Sequence, residues 1–320
     1  MSLQVCLPKL GHAALYNGME TQLLKKTGLR VLPVSTSATK SGETQVGSIA
    51  TLTKLWFVVS LALHTTVLVP PASAEAIDVG HIVEASGNQT EHTAVIVKRL
   101  SDVQIWASNF ERAEKRFSPA SSTKIPHTLI ALEYGLATPT TVFRWDGVPR
   151  ASRAWNQDHS LASAFQNSVV WVYQEIARTA GQVTMSKGLA SLGYGNLDTG
   201  SIDQLTPYWL DDTLKISATE QIDFLSSLAQ ELLPLSEATY AAAREIMVSE
   251  QNASWVMRSK TGWRHNKDSM DVGWHVGWLE CSSETFVFAL NMDMPDTRYL
   301  SKRTEITYSI LKSIGAFGCS

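Results

Sequence analysis

A serine three residues ahead of a lysine is the first arrangement in this 320-residue chain that could do covalent chemistry. On a helix, positions i and i+3 share a face, so the lysine amine can reach the serine hydroxyl. A neutral amine, or one converted to a carboxylate-bearing adduct, removes the hydroxyl proton and makes the oxygen a nucleophile. The spacing occurs three times, at Ser37/Lys40, Ser121/Lys124 and Ser309/Lys312. The first precedes an export-signal pattern, and the third falls in a closing amphipathic helix where a solvated pair is expected. Ser121 is placed just inside a predicted helix N-terminus, behind Pro119. There the unpaired N–H groups and the positive end of the dipole face a developing oxyanion.

Two other segments supply complementary groups. Lys260-Thr261-Gly262, at the end of a predicted strand, offers a cation and a hydroxyl for a carboxylate, then a glycine that admits a ligand close to the backbone. Ser168-Val169-Val170, on a second predicted helix, offers a hydroxyl with no charged neighbour. The motifs GxSxG, GxGxxG and the P-loop are absent. Eight scattered histidines show no HxH or HExxH spacing, so no metal site is expected.

The elements that must position these groups follow from apolar periodicity. Residues 93–97 and 103–107 read as two strands joined by a polar turn. A helix opened by Ser118-Pro119 carries Ile125, Leu129 and Leu132 and stops at Gly135. Residues 160–180 read as a second helix, with Leu161, Phe165, Val169 and Val172 on one side, and 219–233 as a third. Residues 255–259, 272–280 and 285–292 form a predicted antiparallel meander, and 304–314 a closing helix. Strands at both ends with helices between imply an α+β fold: one antiparallel sheet from both termini, flanked by terminal helices, and an all-helical middle.

Lys54, an apolar run over 55–69 and Ala72-Ser73-Ala74 read as a secretory signal cleaved after Ala74. The run is 15 residues long and interrupted by His64, Thr65 and Thr66, whereas a span needs about 20 apolar residues. No stable membrane anchor is expected. Residues 1–53 read as a non-structural extension, 54–74 as the signal and 75–320 as one catalytic domain, periplasmic or secreted. That domain carries 21 basic and 28 acidic residues, a net charge of −7 that argues against nucleic acid as a partner. Of three cysteines, Cys281 and Cys319 fall in this domain and are expected to be free thiols.

The ordered set resembles the class D serine β-lactamases, the oxacillinase type, over about residues 85–315. The resemblance is carried by residues 119–126, Trp145-Asp146-Gly147, Trp155-Asn156, Tyr194-Gly195-Asn196, Tyr208-Trp209-Leu210, residues 216–221, Lys260-Thr261-Gly262-Trp263, Val276-Gly277-Trp278 and residues 291–295. It implies the penicillin-recognising fold and hydrolysis of the β-lactam amide, conferring antibiotic resistance, with Ser121 as the acylated nucleophile and Lys124 as general base. In that family the lysine is carboxylated by CO2, with no other cofactor, and the adduct is held by the indole of the residue matching Trp209. Val169, Val170 and Leu210 would form its apolar wall, and Ser168 the proton shuttle. Lys260, Thr261 and Arg303 would hold the substrate carboxylate, Arg298 competing for the last role. Gly262 gives that strand its close approach, and the N–H groups of Ser121 and Trp263 would form the oxyanion hole.

The chain departs from the family at Thr123, where an aromatic residue is usual. A hydroxyl there is expected to make the pocket more polar, raise the lysine pKa and weaken carboxylation. His127 and Trp171 replace asparagine and proline. Trp145, Trp155 and Tyr194 read as packing residues, and Glu220 and Asp223 as a solvated helix face. The competing function is a penicillin-binding sensor that is acylated without turnover, with a peptidoglycan peptidase a third. A homodimer is compatible with the sequence.

Overall fold

The computed structural model describes residues 75–266 and 269–318, all within the second of the chain's two units, Leu68–Ser320. The expected extension, the signal and the Ser37/Lys40 pair lie outside the described residues. The chain begins with β1 (Ile77–Asp78), α1 (Gly80–Ala85), β2 (Thr93–Arg99), β3 (Ile105–Ser108) and α2 (Phe110–Ala113). A 3-10 turn, Ala120–Thr123, leads into α3 (Lys124–Glu133). Next come β4 (Val142–Phe143), β5 (His159–Ser160), α4 (Leu161–Gln166), α5 (Val170–Leu192), α6 (Ala218–Ala229) and α7 (Glu237–Ile246). The chain then forms β6 (Val248–Gln251), β7 (Trp255–Arg264), β8 (Asp271–Cys281), β9 (Thr285–Met294) and α8 (Tyr299–Ser313).

Among the described residues, seven strands form one sheet in the order β1-β3-β2-β9-β8-β7-β6. The two ends of the sequence meet where β2 pairs antiparallel with β9, from Thr93 opposite Met292 to Arg99 opposite Phe286. Both faces are covered, so the central strands are apolar on both sides. Trp274, Val276 and Trp278 of β8 face the core shared with α3, α5 and α6. Met257, Phe288 and Leu290 pack with Ile306 and Ile310 of α8 in a second core. The α+β architecture read from the sequence is therefore present, and β7, β8 and β9 are the expected meander.

Several local expectations are corrected. β1 runs parallel to β3, so the sheet is not wholly antiparallel. The middle is not all helical, because β4 and β5 pair there as a two-residue ladder. The second helix is not continuous: the chain leaves α4 after Gln166, Ser168 takes φ +54°, and α5 begins at Val170. The same apolar spacing survives the break, which is why periodicity alone missed it. The third helix ends at Ala229 and α7 follows, started by Ser236, whose hydroxyl accepts the Thr239 N–H. β7 runs through Arg264 instead of stopping at Ser259, so Lys260-Thr261-Gly262 lies within a strand. Cys281 is disulfide-bonded, not free; separation along the chain says nothing about which cysteines folding brings together. Glu220 is no simple solvated residue: it closes a capping box with Ser217 at the start of α6 and pairs with Arg116.

Tyr194-Gly195-Asn196 has a structural reason. The Asn196 side chain accepts the Lys215 N–H at 2.9 Å and donates to Thr213 O at 2.9 Å, and its own N–H donates to Lys215 O at 2.9 Å. These bonds clamp the loop that carries Trp209. Gly195 turns the corner at φ +63°, and a Cβ there would lie 2.3 Å from Lys215 O. Gly195→Ala is expected to lower stability by about 2 kcal/mol or more, read as a reduced midpoint in chemical unfolding.

Candidate active site

The nucleophile candidate is held by a clamped turn. Phe117 and Ile216 exchange both backbone hydrogen bonds at 2.9 Å, and Trp209 O accepts from Ser118 Oγ at 2.8 Å and from Ala120 N at 3.1 Å. The Trp274 indole donates to Ser118 O at 2.8 Å. Ala120 is forced to φ +48°, a conformation rare for a residue with a Cβ. Ser121 therefore stands in the 3-10 turn ahead of α3, not within the α-helix as the sequence suggested.

Behind the turn lies a buried polar cluster that the sequence did not reveal. Gln221 Nε2 donates to Ser122 Oγ at 3.1 Å and to Tyr194 OH at 3.0 Å, and Ser122 Oγ donates to Pro119 O at 2.8 Å. Tyr194 is thus both a packing residue, with its ring edge-on to Phe224, and a polar support for the turn. Trp155 behaves as the expected packing residue, half-buried with its indole donating to Asn167 O at 2.9 Å.

Lys124 opens α3 with 1% of its surface exposed. Its Nζ lies 3.0 Å from Ser121 Oγ. Burial, and after it the charge of Lys260, push its pKa well below the usual lysine value. The Tyr173 ring faces the amine at 5.0 Å. Of the expected wall residues, Val169 is buried and Val170 and Leu210 are half-buried. Trp209 is fully buried, edge-on to the rings of His127 and Tyr208. Thr123 is buried; among the described residues its Oγ1 makes no hydrogen bond of ordinary geometry, though it lies near enough to Tyr194 to act on that phenol. It is not among the groups that shift Lys124. Tyr173, Tyr208 and His127 went unread in the sequence as parts of this pocket, although His127 lies one helical turn after Lys124.

The second pair of predicted groups also converges. The left-handed Ser168 brings its hydroxyl to Lys260 Nζ, which donates to it. Lys260 is buried, and desolvation, followed by the charge of Arg303, lowers its pKa to about 7. At Gly262 a Cβ would stand 2.9 Å from Pro119 O and 3.3 Å from Ser122 N, so glycine alone lets β7 lie against the serine turn. Arg303 of α8 donates through Nη1 to Gly262 O at 2.5 Å and through Nε to Leu300 O at 2.9 Å. Arg298, the competing arginine, has 87% of its side chain exposed and is paired with Asp296. Among the described residues no carboxylate lies within ion-pair distance of Lys260 or Arg303. Two desolvated cations without a counter-charge make the strand edge receptive to an anion. Thr261 is half-buried, and Trp263 is exposed at the rim with its indole donating to Asp271. In α8, Ser309 and Lys312 are both exposed, as expected for a solvated pair.

A serine beside a buried amine, a second serine beside a second lysine, and an arginine with no carboxylate partner among the described residues have the chemistry that covalent acyl transfer on an anionic substrate would need. Comparison with known proteins agrees. The sequence matches the family profile of the penicillin binding protein transpeptidase domain over residues 80–312. It is 41% identical over 228 residues to β-lactamase OXA-48 of Klebsiella pneumoniae, covering 70% of this chain and 84% of that protein. It is 39% identical over 239 residues to β-lactamase OXA-3 of Pseudomonas aeruginosa, covering 74% of this chain and 80% of that one. The class D β-lactamase YbXI from Nostoc superposes with a TM-score of 0.71 at 34% identity, over 74% of this chain and 98% of that structure. A class D β-lactamase from Bacillus subtilis gives 0.64 at 36% identity, over 70% and 91%. The chain belongs to the class D serine β-lactamase family. Among the described residues no helix is long and apolar enough to cross a membrane.

The buried amine carries a measurable cost. In the unfolded chain Lys124 holds its proton up to about pH 10.4, whereas in the fold it releases it well below that value. Between the two pKa values the unfolded state binds more protons, so the penalty is largest at lower pH and shrinks as pH rises. Lys124→Met, similar in length and uncharged, is expected to be more stable than the parent. The gain in unfolding free energy should be larger near about pH 6 than near about pH 9.

Proposed function

We propose that this protein hydrolyses the amide bond of penicillin-type β-lactams through an acyl-enzyme on Ser121, and so confers resistance to them. The observation that carries the reading is the 3.0 Å contact between Ser121 Oγ and a Lys124 amine whose charge is disfavoured by burial. Lys124 accepts the hydroxyl proton, and Ser121 Oγ bonds to the lactam carbonyl carbon. The N–H groups of Ser121 and Trp263 take the oxyanion. The ring C–N bond breaks, and Ser168, held by Lys260, passes a proton to the leaving nitrogen. Ser168 regains a proton from Lys124; Lys124 then takes a proton from water as the water oxygen adds to the acyl carbon, and that proton passes to Ser121 Oγ as the ester bond breaks.

The surroundings of Lys124 fit carboxylation by CO2: the amine is buried, prone to neutrality and faced by the Tyr173 ring. Once formed, that group supplies a carboxylate base in place of the amine. Trp209 and Ser121 are the residues to hold it, with Val170 and Leu210 limiting water. Lys260, Thr261 and Arg303 bind the substrate carboxylate, for which Arg303 is better placed than Arg298. Residues 75–320 form the mature catalytic domain on this reading, exported after cleavage near Ala74.

Multiple-turnover loss of a chromogenic cephalosporin tests the proposal against the sensor alternative, which predicts one stoichiometric burst and no more. Ser121→Ala is expected to abolish acylation, seen by intact-protein mass spectrometry. Arg303→Ala should raise KM roughly 10- to 100-fold, the worth of a hydrogen bond to a charged group, with Arg298→Ala unchanged. Because carboxylate binding favours charged Lys260, and its pKa is about 7, kcat/KM should fall as pH rises beyond that value. A flat alkaline limb would rule out Lys260 as the carboxylate's cation.

A further inference from the structure

One titratable group in the pocket has no part in the mechanism above. His127 is fully buried one turn along α3 from Lys124, so the two side chains share a helix face. Its Nε2 lies 2.5 Å from Tyr208 OH. Its ring meets the Trp209 indole edge-on, at 4.8 Å between centroids and 87° between planes. On the other side it stacks on Tyr173 at 6.2 Å, the ring that faces the Lys124 amine. Tyr208 is in turn edge-on to Trp209 at 5.0 Å. Nδ1 of His127 is buried without a hydrogen-bond partner among the described residues.

We propose that His127 is a positioning residue for the modification of Lys124: through Tyr208 and the Trp209 indole it holds the aromatic wall in the orientation that retains a carboxylate at that lysine. The inference rests on the carboxylation reading above and assigns a role to a residue where the family usually has asparagine. The physical argument has two parts. The indole is rigid, and packing against two rings at near-right angles leaves one orientation for its N–H. The imidazole is also kept neutral, because burial and then the charge of Lys124 lower its pKa to about 3. A neutral ring adds polarity beside the lysine without placing a charge there. Its remaining charged and titratable neighbours are Lys124, Tyr173 and Tyr208. Burial pushes both phenols up, so neither brings a charge of its own.

The test is 13C NMR of the full-length protein titrated with 13C-bicarbonate, which reads the carbamate directly and does not depend on turnover. The bicarbonate concentration for half-modification is expected to rise about 10-fold in His127→Leu and to return to within about threefold of the parent in His127→Asn, a tenfold change being about 1.4 kcal/mol. Tyr208→Phe, which removes only the hydroxyl, should shift the midpoint in the same direction and decides the matter if His127→Leu does not fold. In steady-state assays the His127→Leu defect should lie in kcat, with KM nearly unchanged, and be recovered by saturating bicarbonate. A midpoint unchanged in folded His127→Leu and in Tyr208→Phe overturns the role of His127 while leaving carboxylation intact. A parent protein with no carbamate signal at any bicarbonate concentration overturns the carboxylation reading itself, and the proposal with it.

Discussion

A lysine amine held out of water three ångströms from a serine hydroxyl is the interaction around which the rest of this structure is arranged. An amine in solvent is protonated at neutral pH and cannot accept a proton. Desolvation inside α3, reinforced by the nearby Lys260, moves it toward the neutral form. Folding must bear the cost of that burial, and it can do so because the aromatic and aliphatic residues around the site belong to the main core. The site is therefore not a loop feature placed on a stable body. It is a polar defect inside the packing, with the Tyr173 ring facing the amine and the Ser122–Tyr194–Gln221 cluster bonded behind the serine turn.

The same economy appears at the strand edge. Lys260 and Arg303 are buried cations with no carboxylate partner among the described residues, one bonded to Ser168 and the other to the backbone carbonyls of Gly262 and Leu300. Each is incompletely compensated, a state that an incoming anion relieves. Gly262 lets β7 approach the serine turn, and Gly273 leaves room for the Arg303 side chain, where a Cβ would come within 2.9 Å of Arg303 Cδ. Glycines at two strand positions thus let β7 lie against the serine turn and let β8 lie against the Arg303 side chain of α8. Ser121 and the Lys260–Arg303 pair come from distant parts of the sequence, whose two ends are joined by the β2–β9 pairing in the sheet.

Much of this was legible before any coordinates. The i, i+3 spacing of Ser121 and Lys124, the order of Ser168 and Lys260 after them, and strands at both ends with helices between were read correctly, because short-range spacing and apolar period are local properties. The break at Ser168 was not, because the apolar positions on either side keep a helical period while the backbone between them turns left-handed. Nor were the strand lengths around Lys260, since a residue is held in a strand by its partner, and Thr261 pairs with His275 across the sheet. Tyr194 and Glu220 looked like packing and surface; their hydrogen bonds to Gln221 and Arg116 cross 27 and 104 residues.

What the sequence determined by itself was the fold class and a set of candidate groups for the site, because residue type and periodicity report directly on chemistry and on secondary structure. What only the tertiary structure decided was the ionisation of those groups and the choice between equivalents. Arg303 and Arg298 are chemically identical, and only folding buries one against β7 and leaves the other in solvent. Lys124 and Lys312 share the same motif, and only one is desolvated. A proton's affinity depends on the dielectric and charges within a few ångströms, and those are supplied by residues that the chain brings together from afar.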